Sequence, residues 1–215
     1  MSRPEGLAPV VAAMASVALR YPGADVLERR NELGRLAAEL PPSRVVNALR
    51  PFFGWWQAMP ALALEEAYVE TFDLRRRCSL YLTYYVYGDR RQRGQEFVRL
   101  KHLVEAAGYR FAGRELPDYL PLLLEFAARE PDAGRAILTE HRVGLELLDA
   151  ALHDAGSPYA DIVDAICLAL PPLDEARRKE VHRIAADGPP TETIGLEPFA
   201  PPEVMPESAW GTPPR

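Results

Sequence analysis

Apolar residues recur along this chain at intervals of three and four, the spacing that lines one face of a helix. In residues 7–20 the face is Leu7, Val10, Val11, Met14 and Ala18, and Pro22-Gly23 ends it. Residues 24–40 carry Val26, Leu27, Leu33, Leu36 and Ala37 on one side and stop at Pro41-Pro42. Ser43 is placed to cap a third helix holding Val45, Val46 and Leu49, which Pro51 should kink or end. The rings that follow, Phe52, Phe53, Trp55 and Trp56, read as a core corner, or else as the edge of a binding groove. A fourth helix starts near residue 61, with Leu64, Tyr68 and Phe72 on one stripe. A fifth, residues 92–107, should bury Phe97, Leu100 and Val104 and stop at Gly108. Asp118 can cap a helix through Leu122, Leu123 and Phe126, with Pro121 tolerated in its first turn. One long helix is then expected over residues 133–155, with Ile137, Leu138, Leu145, Leu148 and Leu152 inward. Two more, residues 159–170 and 173–185, flank Pro171-Pro172. No stretch alternates with the period of a strand. The pattern predicts an all-α fold: a single helical bundle of about eight to ten helices over residues 1–186.

From residue 187 the pattern lapses. Eight of the 21 prolines fall there, with Glu192, Glu197, Glu203 and Glu207 and only Arg215 basic. Such a Pro-rich acidic tail cannot sustain a helix and is expected to be flexible and dispensable for folding, although Ile194, Leu196, Phe199, Val204, Met205 and Trp210 could dock weakly.

Composition narrows the function. The chain has 215 residues, 48% apolar and 26% charged, with a net charge of −6. Its acidity argues against nucleic acid, whose phosphates select basic surfaces. Of the 25 basic residues only Lys101 and Lys179 are lysines, so its cations are mostly planar guanidinium groups. Glu5 offsets Arg3, so the N-terminal apolar run reads as a packed helix rather than a signal peptide, and no run reaches membrane-spanning length. A cytoplasmic location is expected, without membrane insertion. Cys78 and Cys167 form no paired motif and read as reduced packing residues. His102, His141, His153 and His182 show no zinc spacing and read as solvated or half-buried. No nucleophile elbow, phosphate loop or dinucleotide fingerprint is present, so neither an enzyme nor a bound metal or cofactor is expected.

One stretch stands apart, residues 68–88, YVETFDLRRRCSLYLTYYVYG. Glu66 and Glu70, one helical turn apart, repel unless cations sit nearby, and Arg75, Arg76 and Arg77 follow directly. Asp73 and Arg77 would pair if the helix continued that far. Tyr81, Tyr84, Tyr85 and Tyr87 come next, four of the nine tyrosines. Tyrosine and arginine are the residues of binding hot spots. The same residues could equally be core aromatics beside internally paired arginines, and their chemistry alone does not decide between the two.

The run YVETFDLRRRCSLYLTYYVYGD, continued by Arg93-Gly94 and later by ELPDYLPLLLEF, resembles the nitrate reductase molybdenum cofactor assembly chaperones, the NarJ family. The resemblance covers roughly residues 7–185. It implies an all-helical chaperone, not an enzyme, that binds the N-terminal segment of the catalytic α subunit of respiratory nitrate reductase. That subunit would be held ready for insertion of molybdenum cofactor and an iron–sulfur cluster before docking to its membrane anchor, with cofactor-biosynthesis proteins as further partners. Carried over by position, it marks Tyr68, Glu70, Phe72, Arg75, Arg76, Tyr81, Asp118, Tyr119, Pro121 and Glu125 as client-binding candidates. The alternative is a carrier that holds the cofactor itself, with Arg75, Arg76 and Arg77 on its phosphates.

Overall fold

The computed structural model describes residues 7–188 apart from Asp89, Ala112 and Arg114. The acidic Pro-rich segment from residue 189, like Arg3 and Glu5, lies outside these. The described chain is all-α, without a strand: α1 (Pro9–Ala18), α2 (Ala24–Glu39), α3 (Arg44–Ala58), α4 (Ala61–Tyr68), α5 (Leu82–Tyr87), α6 (Arg91–Ala106), α7 (Leu120–Arg129), α8 (Pro131–Glu140), α9 (Arg142–Asp154), α10 (Ala160–Ala169) and α11 (Glu175–Asp187). These eleven exceed the expected eight to ten, because one long helix is two and α5 did not register as a helix in the sequence pattern.

Most predicted signals act as expected. The Ser43 hydroxyl accepts from the Val46 N–H and starts α3. Gly108, at φ +86°, ends α6; its N–H donates to Glu105 O and that of Tyr109 to Val104 O, the paired bonds of a left-handed helix stop. Pro51 does not end its helix. It sits inside α3, which continues to Ala58. The proline costs about 3 kcal/mol, but continuing the helix buries Phe52, Phe53 and Trp56, each worth about 1.5–3 kcal/mol.

The helix expected over residues 133–155 breaks at His141, where φ is −88° and ψ 17°. The inward residues Ile137, Leu138, Leu145, Leu148 and Leu152 are buried as their spacing requires, so the core tolerates the break. Its cause is polar. His141, buried rather than solvated, sets Nδ1 2.9 Å from Ile137 O and Nε2 3.2 Å from Glu96 on α6. Arg99 joins Glu96 at 2.6 Å and Glu140 at 2.7 Å, clamping α6 to the corner. The His141 bond, then Arg99, holds the Glu96 carboxyl down to about 2. Phe97, expected in the core, is only half-buried.

Helix α9 is the hub, packed by α5, α8, α10 and α11, while α3 packs on α2 and α10 and α1 on α7. The α5–α9 approach depends on Gly144, since a Cβ there would lie 2.5 Å from the Leu82 carbonyl oxygen. Cys78 and Cys167 are free and buried, and burial raises both thiols.

Candidate functional site

Helix α4 does not run on to pair Asp73 with Arg77. It widens into a π-helical turn, Val69–Asp73, in which the Leu74 N–H reaches back to Val69 O, and a 3-10 turn, Arg76–Cys78, follows. The Tyr85 hydroxyl pins that turn, lying 2.7 Å from Arg77 O and 3.0 Å from Ser79 O. Arg75 instead pairs with Glu70 at 2.8 Å, both exposed. A cation near the acidic pair was expected, and this is it.

The two unusual stretches of sequence meet through their backbones. Leu120 N–H donates to Leu80 O at 2.8 Å and Leu82 N–H to Asp118 O at 3.1 Å, forming an antiparallel bridge at Tyr81 and Tyr119. Asp118 is fully buried there and does not cap its own helix. Its Oδ2 accepts from the N–H and hydroxyl of Thr83, in the first turn of α5, and from Arg93 at 3.2 Å. Asp118 therefore caps the neighbouring helix. Arg93 in turn lies over the rings of Tyr81, Tyr84 and Phe97, at 5.9, 5.8 and 5.2 Å.

Above this bridge opens a groove of about 510 Å³. Tyr68, Phe72, Arg76, Tyr81 and Tyr119 line it, five of the ten candidates. It adjoins a second chamber of about 890 Å³, lined by Tyr119, Pro121 and Glu125, and the two share Tyr21, Glu115 and Tyr119. Glu70 and Arg75 line neither chamber, and Asp118 is a buried support. The carried-over set thus divides into seven lining residues and three that shape or flank.

The walls are part core and part surface. Tyr68 is buried, packs 4.8 Å from Phe72, and shares a 3.4 Å hydrogen bond with the Tyr119 hydroxyl. The Tyr81 hydroxyl donates to Glu115 at 2.9 Å, and its ring lies 5.3 Å from that of Tyr119. Burial first, and neighbouring phenols and carboxylates after it, push the Tyr68 and Tyr81 hydroxyls far above the usual phenol range, so they stay neutral donors. Arg76 is exposed and forms no ion pair with a described residue; its only polar partner there is Tyr84 OH at 3.5 Å. Asp73 faces the same chamber, and the rim of the second carries Arg20–Asp25 and Arg129–Glu125 pairs. The groove offers rings, neutral hydroxyls and charges of both signs. Among the lining residues no histidine or cysteine is available as base or nucleophile.

Sequence reasoning missed Tyr21, Glu115 and Arg93 as site residues. Arg93 stands in the extended motif, but an arginine that closes a buried carboxylate from 25 positions away leaves no local mark. Tyr21 stands before the Pro22-Gly23 turn, 47% exposed and edge-on to Tyr68 at 5.5 Å. An aromatic at a turn was the one signal for it.

Elsewhere, Asp149 and His153 on α9 and Asp164 on α10 bring three potential metal-ligand atoms within 4.8 Å. The sequence showed no such motif because the third donor comes from another helix. None of them lines the groove. No described helix is long and apolar enough to cross a membrane.

Comparison with known proteins agrees with the motif. A profile of the family described as "nitrate reductase delta subunit" matches residues 37–164. The chain is 41% identical over 163 residues to the nitrate reductase-like protein NarX of Mycobacterium tuberculosis, covering 74% of this chain but only 24% of that one. It is 33% identical over 156 residues to the probable nitrate reductase molybdenum cofactor assembly chaperone NarJ of Bacillus subtilis, covering 72% of this chain and 85% of the relative. The assembly chaperone NarJ of Escherichia coli K12 is 34% identical over 151 residues, 69% of this chain and 64% of the relative. The chain thus spans about a quarter of the mycobacterial relative and most of the Bacillus one.

Proposed function

The chain belongs to the nitrate reductase delta subunit family, and from that premise we propose that it is a client-specific assembly chaperone rather than an enzyme. Its client is the catalytic α subunit of respiratory nitrate reductase, recognised through the N-terminal segment and held in the cytoplasm, ready for molybdenum cofactor and iron–sulfur cluster insertion. The carrying observation is the bridge at Tyr81 and Tyr119, which fuses the two family-like motifs into one aromatic groove. A peptide with an apolar stripe finds rings along that groove, and Arg76 for a carboxylate or a helix C-terminus.

The cofactor-carrier reading has less support. Three arginines gripping phosphates would have to converge, but Arg75 is committed to Glu70 and neither Arg75 nor Arg77 lines the groove. Affinity purification of the full chain from cells respiring nitrate distinguishes the readings. The α subunit should be recovered, with no stoichiometric pterin on the chaperone alone. Recovery of a different molybdoenzyme, or pterin on the free chain, would overturn the assignment.

A further inference from the structure

A separate cavity of about 320 Å³ opens behind the arginine turn, between α5, α9 and α11. Its floor is apolar: Leu147, Ala150, Ala151, Ile184 and Ala185. Arg76, Arg77 and Tyr84 stand at its rim, with Asp154 the only carboxylate among the described lining residues. Arg77, like Arg76, is exposed and pairs with no acid among the described residues, so the rim has net positive charge to offer. Two features identify an occupant. Gly188, the last described residue, itself lines the cavity, so the 27 residues that follow start at its mouth. Those residues also carry the complementary chemistry, with Glu192 and Glu197 interleaved with Ile194, Leu196 and Phe199.

We propose that residues 192–199 of this chain dock in this cavity, with Ile194, Leu196 and Phe199 on its apolar floor and Glu192 and Glu197 on Arg76 and Arg77. Gly188 already lines the cavity, and three residues, Pro189 to Thr191, reach about 10 Å when extended at ~3.4 Å each, so the segment starts within reach. Prolines on both sides restrict the unbound segment and so lower the entropy cost of ordering it. Arg76 and Tyr84 line both this cavity and the aromatic groove. A docked segment therefore competes with whatever the groove binds for those two residues, a consequence that rests on the peptide-binding reading above.

Photocrosslinking tests the docking directly. The full chain, carrying p-benzoylphenylalanine in place of Phe199, is irradiated at low concentration and its adducts are mapped by mass spectrometry. Adducts should form within one chain, on residues 147–154 and 184–185. Arg77→Glu and Ala150→Glu, both at exposed positions, should each cut the yield several-fold while the far-ultraviolet dichroism is unchanged. Scattered adducts, adducts only between chains, or an unchanged yield in either folded variant would overturn the proposal. For the competition, Phe199→Asp should tighten binding of a synthetic α-subunit N-terminal peptide about tenfold if the segment is docked in about 90% of molecules. Unchanged peptide affinity with an intact crosslink would remove the competition alone. No peptide binding at all would remove the functional reading and leave the docking standing.

Discussion

Asp118 illustrates what a single buried charge does here. Fully buried, it accepts from the Thr83 N–H and hydroxyl and holds Arg93, which itself lies over three aromatic rings. Asp118→Ala would remove the buried acceptor that Arg93 and the first turn of α5 share. We expect a loss of about 3–5 kcal/mol, read as a lower urea midpoint, with the Tyr81–Tyr119 bridge loosened. Glu70→Ala breaks only an exposed ion pair and should change stability by less than about 0.5 kcal/mol. Comparable losses in the two variants would contradict this account of the site. The residue type and its place beside a helix were legible in the sequence; which helix it caps was not, since Thr83 stands 35 positions away. Asp149 makes the pH-dependent case. Burial, and then Asp164, pushes its carboxyl up to about 7, with His153 opposing. The folded protein thus binds this proton more tightly than the unfolded chain does. The group's penalty is absent at low pH, and stability falls as pH rises through about 7. Asp149→Asn should gain about 1–2 kcal/mol over the parent at pH 8, allowing for partial exposure, and only about a third of that at pH 5, because the loss accrues between 3.8 and about 7. A difference equal at both pH values would refute the shift. The Glu96 contribution is lost only as pH falls below 4.5 toward about 2, outside that window.

At the scale of elements, periodicity identified the helices that bury a continuous face and failed where a distant partner decides. Helix α5 is six residues, Leu-Thr-Tyr-Tyr-Val-Tyr, rich in β-branched and aromatic types with little helical preference. It is held from outside, by Asp118 at its first turn and by Gly144 beneath Leu82. The break at His141 was hidden for a similar reason, because the apolar spacing runs straight through it while Glu96, on another helix, fixes the ring. Pro51 erred in the other direction, a local breaker overruled by the burial of three rings. Gly144→Ala tests the α5–α9 contact. A backbone carbonyl cannot step aside as a flexible side chain can, so the substitution should cost about 1–3 kcal/mol and weaken groove binding. Gly54→Ala, where a Cβ meets nothing within 4 Å, should be neutral or slightly stabilising. Thermal unfolding of the two variants checks the contrast.

At the scale of the whole molecule, one core joins all eleven helices, from Leu7 to Ile184. A chain stopped after Gly188 should therefore keep its fold and lose no more than about 5 °C in melting temperature, the equivalent of the about 1.4 kcal/mol that docking in about 90% of molecules contributes. A collapse would make the C-terminal segment part of the core rather than a ligand of its surface. The groove could be anticipated from sequence only in outline. Its tyrosines and arginines were conspicuous, but core and surface remained equal readings until the structure gave both answers at once: Tyr68 buried as a wall, Arg76 exposed at the rim. The central claim is that this groove recognises the client peptide. Isothermal titration of the full chain with a synthetic N-terminal peptide of the nitrate reductase α subunit tests it most directly. One peptide per chain should bind, and Tyr81→Ala and Arg76→Ala should each weaken it about thirtyfold, the equivalent of about 2 kcal/mol at a hot spot. No binding, or an affinity unchanged in both folded variants, would contradict it.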